Sequence, residues 1–214
     1  MAQKLLIFDC DSTLSEIEGV DELARLRGPD VFQASEALTH QAMNGVVEVE
    51  AVFGKRLELI QPTIADCAAI GKQYIEKIEP TAKETLARVR ELGWTPMILS
   101  GGFAIVIEPL AQFLAVERIE AVPLKFDAAG NYAAFDSDYP TTRSGGKPEV
   151  IEQLKAEFSP EKIVMVGDGV SDLETAPTVD RFIGFGRYTP RKRVKEEAEY
   201  FVYALDEVIS LLDF

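Results

Sequence analysis

A short apolar run that ends in two carboxylates constrains this chain more than any other stretch of its sequence. The residues from Leu5 to Phe8 are all apolar, and Asp9 and Asp11 follow them almost directly. Such a run is typical of a strand buried on both faces of a parallel sheet. Ligands bind beside the carboxyl ends of these strands, and residues two apart on a strand share a face. The stretch therefore predicts two carboxylates that point into one crevice.

Two carboxylates in one crevice repel each other unless one is protonated or a cation lies between them. A hard divalent cation such as Mg²⁺ would relieve the repulsion and leave one carboxylate oxygen free to attack phosphorus. The alternative is a strand that ends in an Asp-rich turn, where Asp and Ser side chains bond to their own backbone. The rest of the sequence has to decide between these two interpretations.

The composition limits the kinds of partner that the chain can bind. Its 214 residues are 47% hydrophobic, which fits one domain, or one domain with a small insertion. A net charge of −14 argues against binding to nucleic acid or to anionic membranes, and no apolar run is long enough to span a bilayer. The only cysteines are Cys10 and Cys67, and the first strand begins too early to leave room for a signal peptide. We therefore expect a cytoplasmic protein, whose oligomeric state the sequence leaves open.

The order of the predicted elements divides the chain into a helical part and an alternating part. Helical segments alone follow the first strand, and from residue 80 onward strands alternate with helices. Alternation of this kind predicts a parallel sheet covered on both faces. We expect an α/β fold with a doubly wound, Rossmann-like parallel sheet as its core, formed by residues 1–14 and 79–214. A small all-helical cap, residues 15–78, is expected to be inserted after the first strand.

Polar clusters follow three of the predicted strands. The clusters are Asp9 with Asp11, the stretch Ser100-Gly101-Gly102, and Asp168 with Asp172. Ser100 is predicted to open a helix, where its hydroxyl and free N–H groups would bind an anion. Lys147, at the start of another predicted helix, would add a point charge for phosphate. Each feature alone has an ordinary explanation as a cap, a turn or a surface lysine, but together they predict a phosphate site.

The ordered set DCDST, SGG, Lys147 and GDGVSD resembles the four-motif signature of haloacid-dehalogenase-type phosphatases, over nearly the whole chain. The Ser-Thr pair after the second aspartate and the helical insertion resemble the phosphoserine phosphatase branch, in which the insertion caps the active site. The resemblance implies a Mg²⁺-dependent phosphomonoester hydrolase that acts through an aspartyl-phosphate intermediate. Its implied substrate is O-phosphoserine, a small anionic metabolite, which it converts to serine and phosphate.

The resemblance implies a role for each motif residue. Asp9 would be the nucleophile, and Asp11 would be first the general acid and then the general base. The implied metal site comprises Asp9, the backbone carbonyl of Asp11, Asp168 and, through metal-bound water or through Lys147, Asp172. The implied phosphoryl-binding groups are Ser100, Gly101 and Lys147, with Ser171 at the position where this branch often has the longer Asn.

The resemblance also implies how the serine moiety is bound. Glu18 matches the acidic residue that meets the substrate ammonium, and Arg56 matches the arginine that grips the carboxylate. Met43 matches an apolar residue that lines the pocket. Phosphoserine carries a phosphate, an ammonium and a carboxylate, so these residue types suit it chemically.

Two other functions stay open at this point. The chain could act on another small phosphate ester or transfer the phosphoryl group to a different hydroxyl, or it could be a non-catalytic binding module on the same fold.

For the remaining polar residues we expect ordinary roles. His40, the only histidine, lies on a polar helical face, and Trp94 is expected to pack in the core. The basic residues expected to form a solvated helix start are Arg187, Arg191, Lys192 and Arg193.

Overall fold

A computed structural model describes residues 3–43 and 49–214 of the chain, with side chains at all of these positions except 40–43, 49 and 50. The strands are β1 (Lys4–Phe8), β2 (Trp94–Phe103), β3 (Arg118–Val122), β4 (Leu124–Phe126), β5 (Tyr132–Phe135), β6 (Lys162–Gly167), β7 (Arg181–Phe185) and β8 (Tyr200–Val202). The α-helices are α1 (Gly19–Leu26), α2 (Pro29–Met43), α3 (Val49–Ile60), α4 (Ile64–Glu76), α5 (Ala82–Glu91), α6 (Ala104–Phe113), α7 (Gly146–Phe158), α8 (Val170–Leu173) and α9 (Lys192–Glu197). Short 3-10 helices cover Pro140–Thr142, Ala176–Thr178 and Leu205–Leu211.

Six strands form one parallel sheet in the order β3-β2-β1-β6-β7-β8, and β4 and β5 form a separate antiparallel hairpin. The strand order reverses direction at β1, between β2 and β6, which is the place where doubly wound sheets open a crevice. The prediction of a doubly wound parallel sheet is therefore confirmed.

The first strand lies at the centre of the sheet because its side chains are apolar on both faces. Leu6 and Phe8 pack into one hydrophobic cluster, whereas Leu5 and Ile7 pack into a second cluster on the opposite face. All four side chains are completely buried. Because β1 is buried on both faces, it lies between β2 and β6 in the centre of the sheet. Asp9, which follows β1, therefore lies beside the carboxyl ends of β2 and β6.

The helices α1 to α4, which we call the helical insertion, lie between β1 and α5. The two chain segments that connect the insertion to the sheet are bonded to each other. The Ser15 hydroxyl donates to the carbonyls of Tyr74 and Lys77 at 3.1 and 3.0 Å, and the Glu79 N–H donates to the Leu14 carbonyl at 2.9 Å. The division of the chain into a core and a separate cap domain stays a prediction.

Three predicted elements differ from the structure. The predicted helix start at Ser100 is wrong, because β2 continues through Phe103 and α6 begins at Ala104. Pairing of Phe103 with Val122 of β3, after a register shift beyond Leu99, extends the strand through the glycines. The sequence pattern also predicts a short helix over 173–176 and a last helix over 205–212. In the structure the short helix covers Val170–Leu173, and Leu205–Leu211 forms a 3-10 helix. Within the described part of the chain, no helix has the length and apolar character needed to cross a bilayer.

Candidate active site

A cleft of about 830 Å³ lies at the carboxyl ends of β1, β2 and β6, beneath α1 and α3 of the helical insertion. Three segments of the sheet edge and, among the described residues, three helices of the insertion contribute to its lining, since Thr39 of α2 joins α1 and α3. The lining side chains predicted from the motifs are Asp9, Asp11, Glu18, Arg56, Ser100, Lys147, Asp168 and Ser171, and Gly101 lines it as well. The structure thus brings the motif residues from distant parts of the sequence into one cavity. The side chains of Met43 and His40 lie outside the described residues.

Asp9 is held at one carboxylate oxygen and left open at the other. Its N–H continues the sheet by donating to the Val166 carbonyl at 2.9 Å. Its Oδ1 atom lies 3.0 Å from Lys147 Nζ and accepts a hydrogen bond from the Cys10 N–H at 2.8 Å. Among the described residues, no hydrogen bond reaches Oδ2. The Asp9 carboxylate is therefore fixed in place with one oxygen available for nucleophilic attack.

Asp9 belongs to a buried group of three carboxylates. Oxygen atoms of Asp9, Asp168 and Asp172 all lie within 4.8 Å of one another, as expected for groups that share a cation. Burial and the neighbouring Asp9 raise the pKa of Asp168 to about 6, because charge is costly in this enclosed site. Carboxylate oxygens are the donors that hard cations such as Mg²⁺ prefer. These carboxylate oxygens therefore fit a divalent metal. Asp172 belongs to the group of three, although the sequence predicted only an indirect contact with the metal, through bound water or through Lys147.

Lys147 provides a buried positive charge between two of these acids. It is only 4% exposed, and its Nζ atom lies 2.5 Å from Asp172 Oδ1 as well as 3.0 Å from Asp9 Oδ1. Burial opposes the charge, but Asp172 and Asp9 outweigh that effect and raise the pKa of Lys147 above its usual value. The ammonium therefore stays protonated. Its position depends on Gly146, where a Cβ would meet the Pro140 carbonyl oxygen at 1.7 Å.

Asp11 faces a different environment from Asp9, although the two residues belong to one motif. Its Oδ1 atom accepts hydrogen bonds from the Tyr74 hydroxyl and, at 3.4 Å, from the Gly19 N–H. Its Oδ2 atom faces Gly102, where a Cβ would come within 3.4 Å of it. Burial raises the pKa of Asp11 well above its usual value, and the charges of Glu18 and Asp9 add to the effect. The Asp11 side chain therefore favours the protonated form that a general acid requires.

The end of β2 forms the floor of the cleft next to Asp11. Ser100 is almost completely buried, and its Oγ atom accepts a hydrogen bond from the Gly102 N–H at 3.0 Å. Gly101 lies below the Thr141 carbonyl, which a Cβ would approach to 3.6 Å. Ser171 is exposed at the opposite side of the cleft. These small residues leave room for a phosphoryl group between the acids and Lys147.

Glu18 and Arg56 occupy the part of the cleft that belongs to the helical insertion. Glu18 accepts a hydrogen bond from the Ser12 hydroxyl at 2.8 Å, and partial burial in the cleft raises its pKa to about 7. Arg56 donates through Nε to the Ser35 hydroxyl at 2.8 Å and forms an ion pair with Asp21. The sequence carries no signal for Ser35 and Asp21, because neither belongs to a motif and both reach Arg56 from other helices.

Arg191 is a further residue of the cleft, and its expected role as part of a solvated helix start is wrong. Its Nε atom lies 3.0 Å from Asp168 Oδ2, and its Nη2 atom lies 3.5 Å from Glu18 Oε1. Arg187 also differs from expectation, because it pairs with the buried carboxylate of Glu79 at 3.3 Å. The neighbouring Lys192 and Arg193 are mostly exposed, as expected, and Trp94 is buried. Only tertiary packing distinguishes these arginines from one another, so the sequence carried no signal for Arg191.

Comparison with known proteins now places this site in a family. The family model described as haloacid dehalogenase-like hydrolase matches residues 3–180. The chain belongs to this family. The prediction made from its four motifs is therefore confirmed, and the open alternative of an unrelated Asp-rich turn is excluded.

Curated relatives of this hydrolase carry the name phosphoserine phosphatase. The protein from Bos taurus is 39% identical over 208 residues, which cover 96% of this chain and 92% of the relative. The protein from Methanocaldococcus jannaschii is 29% identical over 175 residues and 80% of each chain. The resemblance to the phosphoserine phosphatase branch is thereby confirmed.

Solved structures share the fold of this hydrolase. A phosphoserine phosphohydrolase-like protein from Francisella tularensis superimposes with a TM-score of 0.86 at 23% identity, over 98% of this chain and all of the other. A phospho-aspartyl intermediate analogue of phosphoserine phosphatase superimposes with a TM-score of 0.82 at 24% identity, over the whole of both chains. At these identities the comparison supports the architecture alone.

Proposed function

We propose that this hydrolase removes the phosphate of O-phosphoserine through an aspartyl-phosphate intermediate on Asp9. One observation carries the proposal. A single cleft combines a nucleophile-and-cation centre, Asp9 with Lys147, with an acid and an arginine of the helical insertion, Glu18 and Arg56. The first pair suits a phosphoryl group, and the second pair suits an ammonium and a carboxylate. The curated relatives named phosphoserine phosphatase support the same substrate.

In the first half of the reaction, the open Oδ2 atom of Asp9 forms a bond to phosphorus. The bond between phosphorus and the serine oxygen breaks, and Asp11 gives its proton to that oxygen. Lys147 compensates the charge of the phosphoryl oxygens, and Ser100 and Gly101 bind them at the end of β2. Serine is then released, and a phosphoryl group remains on Asp9.

In the second half, a water molecule attacks phosphorus and the bond to Asp9 breaks. Asp11, now ionised, accepts the proton that the water loses. Phosphate leaves, the carboxylate of Asp9 is restored, and Asp11 is protonated again. One residue thus serves both steps as acid and base, which requires its carboxylate to keep a fixed position throughout the cycle.

The buried acids Asp9, Asp168 and Asp172 fit Mg²⁺, and we propose that Asp9, Asp168 and the backbone carbonyl of Asp11 hold it. When bound, Mg²⁺ supplies positive charge that offsets the repulsion between these acids and the phosphoryl oxygens. Asp172 keeps Lys147 in place through their 2.5 Å contact. Arg191 lies 3.0 Å from Asp168 and offsets part of the charge of the same acids.

Recognition of the serine moiety falls to the helical insertion, residues 15–78, which we propose acts as a cap over the cleft. Arg56 presents a planar fork that matches a carboxylate, and Glu18 meets the ammonium. Asp21 orients the guanidinium of Arg56 through their ion pair, so the substrate carboxylate and Asp21 compete for the same N–H donors. Met43 is the third residue predicted to contact the serine moiety.

A cytoplasmic location also stays a prediction, which rests in part on the two unpaired cysteines.

A panel of phosphate esters tests the proposed substrate. Phosphate release is measured for phosphoserine, phosphothreonine, glycerol phosphate and p-nitrophenyl phosphate, in Mg²⁺ and in chelator. The proposal expects phosphoserine to have the highest kcat/KM and activity to require Mg²⁺. A higher kcat/KM for glycerol phosphate than for phosphoserine would contradict the substrate. Transfer of the phosphoryl group to an added alcohol in preference to water would favour the phosphotransferase, and no turnover of any ester would favour a binding module.

A further inference from the structure

We propose that Tyr74 is a positioning residue of this reaction, which holds the acid/base carboxylate of Asp11 from the helical insertion. The proposal rests on the proposed function of Asp11. No motif of the sequence includes Tyr74, which lies on α4 and is not itself among the residues that line the cleft. It acts through Asp11 alone.

The contact between the two residues fixes which oxygen of Asp11 faces the substrate. The Tyr74 hydroxyl and the Gly19 N–H both donate to Oδ1 of Asp11. The Oδ2 atom is turned towards Gly102, at the end of β2 where the phosphoryl group binds. Because Oδ1 already receives two hydrogens, a proton carried by Asp11 has to reside on Oδ2. This is the oxygen from which the leaving serine oxygen can take it.

The backbone near Tyr74 is shaped to admit its hydroxyl. Gly19 is the first residue of α1, and a Cβ at this position would lie 2.2 Å from the Tyr74 hydroxyl oxygen and 3.0 Å from the ring carbon that bears it. Any other residue at position 19 would therefore displace the phenol from Asp11. Gly19 and Tyr74 fit as a pair, and this steric fit is independent of the hydrogen bond itself.

Complete burial makes the contact rigid. Tyr74 has no exposed side-chain surface and packs within the larger hydrophobic cluster, together with Leu14 and Leu23. A buried hydroxyl needs a hydrogen-bond partner, and a purely structural tyrosine would be satisfied by any acceptor. Here the acceptor is the carboxylate that must keep one orientation through two proton transfers. The hydrogen bond also joins the helical insertion directly to the reacting groups.

The test is Tyr74→Phe, which keeps the ring and removes the hydroxyl. We expect kcat for phosphoserine to fall by about 10- to 100-fold, the range for loss of a hydrogen bond to a charged group, with KM within about 2-fold of wild type. The leaving group of p-nitrophenyl phosphate needs no proton, so its release in a single-turnover, rapid-mixing experiment should change by less than about 3-fold. This difference between the two esters is the signature of a role in proton delivery.

Tyr139→Phe is the matched control. It removes a tyrosine hydroxyl that donates to another carboxylate, Glu120, outside the cleft. Its kinetics should stay close to those of the wild type, while urea unfolding reports the stability lost in each variant. Gly19→Ala offers a second approach, because the added methyl group displaces the Tyr74 hydroxyl without removing it. The same selective loss of phosphoserine turnover is expected.

Three results would overturn the proposal. They are equal losses for both esters, a raised KM at unchanged kcat, and wild-type kinetics in a folded Tyr74→Phe protein. If the wild-type enzyme prefers another alkyl phosphate, the proposed substrate fails. In that case kcat of Tyr74→Phe and of the wild type is compared on the preferred ester and on p-nitrophenyl phosphate. A loss confined to the preferred ester supports the role of Tyr74, and equal losses overturn it.

Discussion

Asp9 and Asp11 lie two positions apart, yet the structure gives them different partners and therefore different chemistry. Asp9 is bonded through Oδ1 to the Lys147 ammonium and the Cys10 N–H, which fixes the carboxylate and leaves Oδ2 open for attack. Asp11 is buried and lies beside the acids Glu18 and Asp9, which raises its pKa and favours the protonated form, although the hydrogen bond from the Tyr74 hydroxyl acts in the opposite direction. Two carboxylates whose environments separate them in this way are suited to different roles in one reaction. At this scale, the chemistry is set by neighbours that come from other parts of the chain.

The first prediction concerns selectivity and belongs to Arg56. Arg56→Ala should lower kcat/KM for phosphoserine by about 30-fold to several thousand-fold, because a charge-assisted contact typically contributes 2–5 kcal/mol. Turnover of p-nitrophenyl phosphate, which has no carboxylate to bind, should largely survive. Arg56→Lys should restore activity only in part, since an ammonium lacks the planar fork.

Arg27→Ala is the control for that comparison, because Arg27 forms a similar ion pair with Asp66 in the insertion but does not line the cleft. It should leave the ratio of the two activities unchanged. Equal losses for both substrates in Arg56→Ala would mean that Arg56 supports the structure or the phosphoryl site instead of the serine moiety.

The sequence predicted the motif residues of the cleft but not their supporting contacts. Asp9 and Asp168 could be found because short polar motifs followed recognisable strands, and Lys147 because it opened a recognisable helix. Arg191 and Tyr74 could not, since each reaches the site from an element that looks like an ordinary amphipathic or solvated helix. Their partners lie far away in sequence, and only the packed fold brings them together.

At the scale of elements, the start of α7 shows how close packing delivers a catalytic side chain. The segment from Pro140 to Thr142 crosses directly over Gly146, and Lys147 follows at the next position. Proline is typical of the first residue of a helix, so the sequence predicts a start at Pro148, whereas α7 begins two residues earlier, at Gly146. The sequence could indicate a helix here, but not the loop that packs on its first turn. The same limit applies to β2, which pairing with β3 extends beyond its predicted end.

The second prediction follows from this close approach. Gly146→Ala should destabilise the protein by about 3 kcal/mol or more, because the methyl group would overlap backbone and force the loop or the helix to move. Activity should fall with it, since Lys147 moves with the start of the helix. Urea unfolding and kcat measure the two effects.

Gly54→Ala serves as its control. The nearest atoms to a Cβ at that position belong to Phe135 at 3.6 Å, an ordinary contact, and the residue lies inside α3. This substitution should stabilise the protein by about 0.5–1 kcal/mol, the helix preference of Ala over Gly. A Gly146→Ala protein as stable as the wild type would show that the loop does not fix the start of α7.

At the scale of the whole molecule, an acidic protein forms a cleft in which basic side chains nearly balance the acidic ones. The net charge is −14, yet among the described residues five basic side chains line the cleft beside six acidic ones. The basic side chains are Arg56, Arg143, Lys147, Arg191 and Arg193. The composition predicted the classes of partner that the protein should avoid, whereas the local charge of the cleft could be seen only after folding.

The third prediction concerns pH and metal. In the metal-free protein, the Asp168 pKa of about 6 exceeds the usual value near 4, so the folded state keeps a proton that the unfolded state has lost. Between about pH 4 and 6 the folded state therefore binds more protons, and the free energy of unfolding should fall as pH rises through this window. Glu18 should extend the decline towards pH 7, with a smaller effect because its side chain is 43% exposed.

Mg²⁺ should oppose this decline, because it binds the ionised carboxylates. Its stabilisation should be larger at pH 8 than at pH 5, and should reach about 2.7 kcal/mol at a concentration one hundred times Kd. Urea unfolding with and without Mg²⁺ measures both effects. Asp168→Asn should make the decline shallower between about pH 4 and 6 and weaken the stabilisation by Mg²⁺, whereas the raised pKa values of Asp172, about 8, and Glu18, about 7, keep part of the decline in place. Metal-free stability that rises between pH 5 and 7, or a Mg²⁺ effect independent of pH, would contradict this assignment of the acids.

The covalent intermediate tests the central claim most directly. Wild-type enzyme is mixed rapidly with Mg²⁺ and phosphoserine labelled in its phosphate, quenched in acid, and digested to locate the label. The account predicts a transient, acid-stable phosphoryl group on the peptide that carries Asp9, formed at least as fast as serine release. A folded Asp9→Asn protein should form none and turn over no phosphoserine. Label on a different residue, or full turnover by Asp9→Asn, would contradict the mechanism.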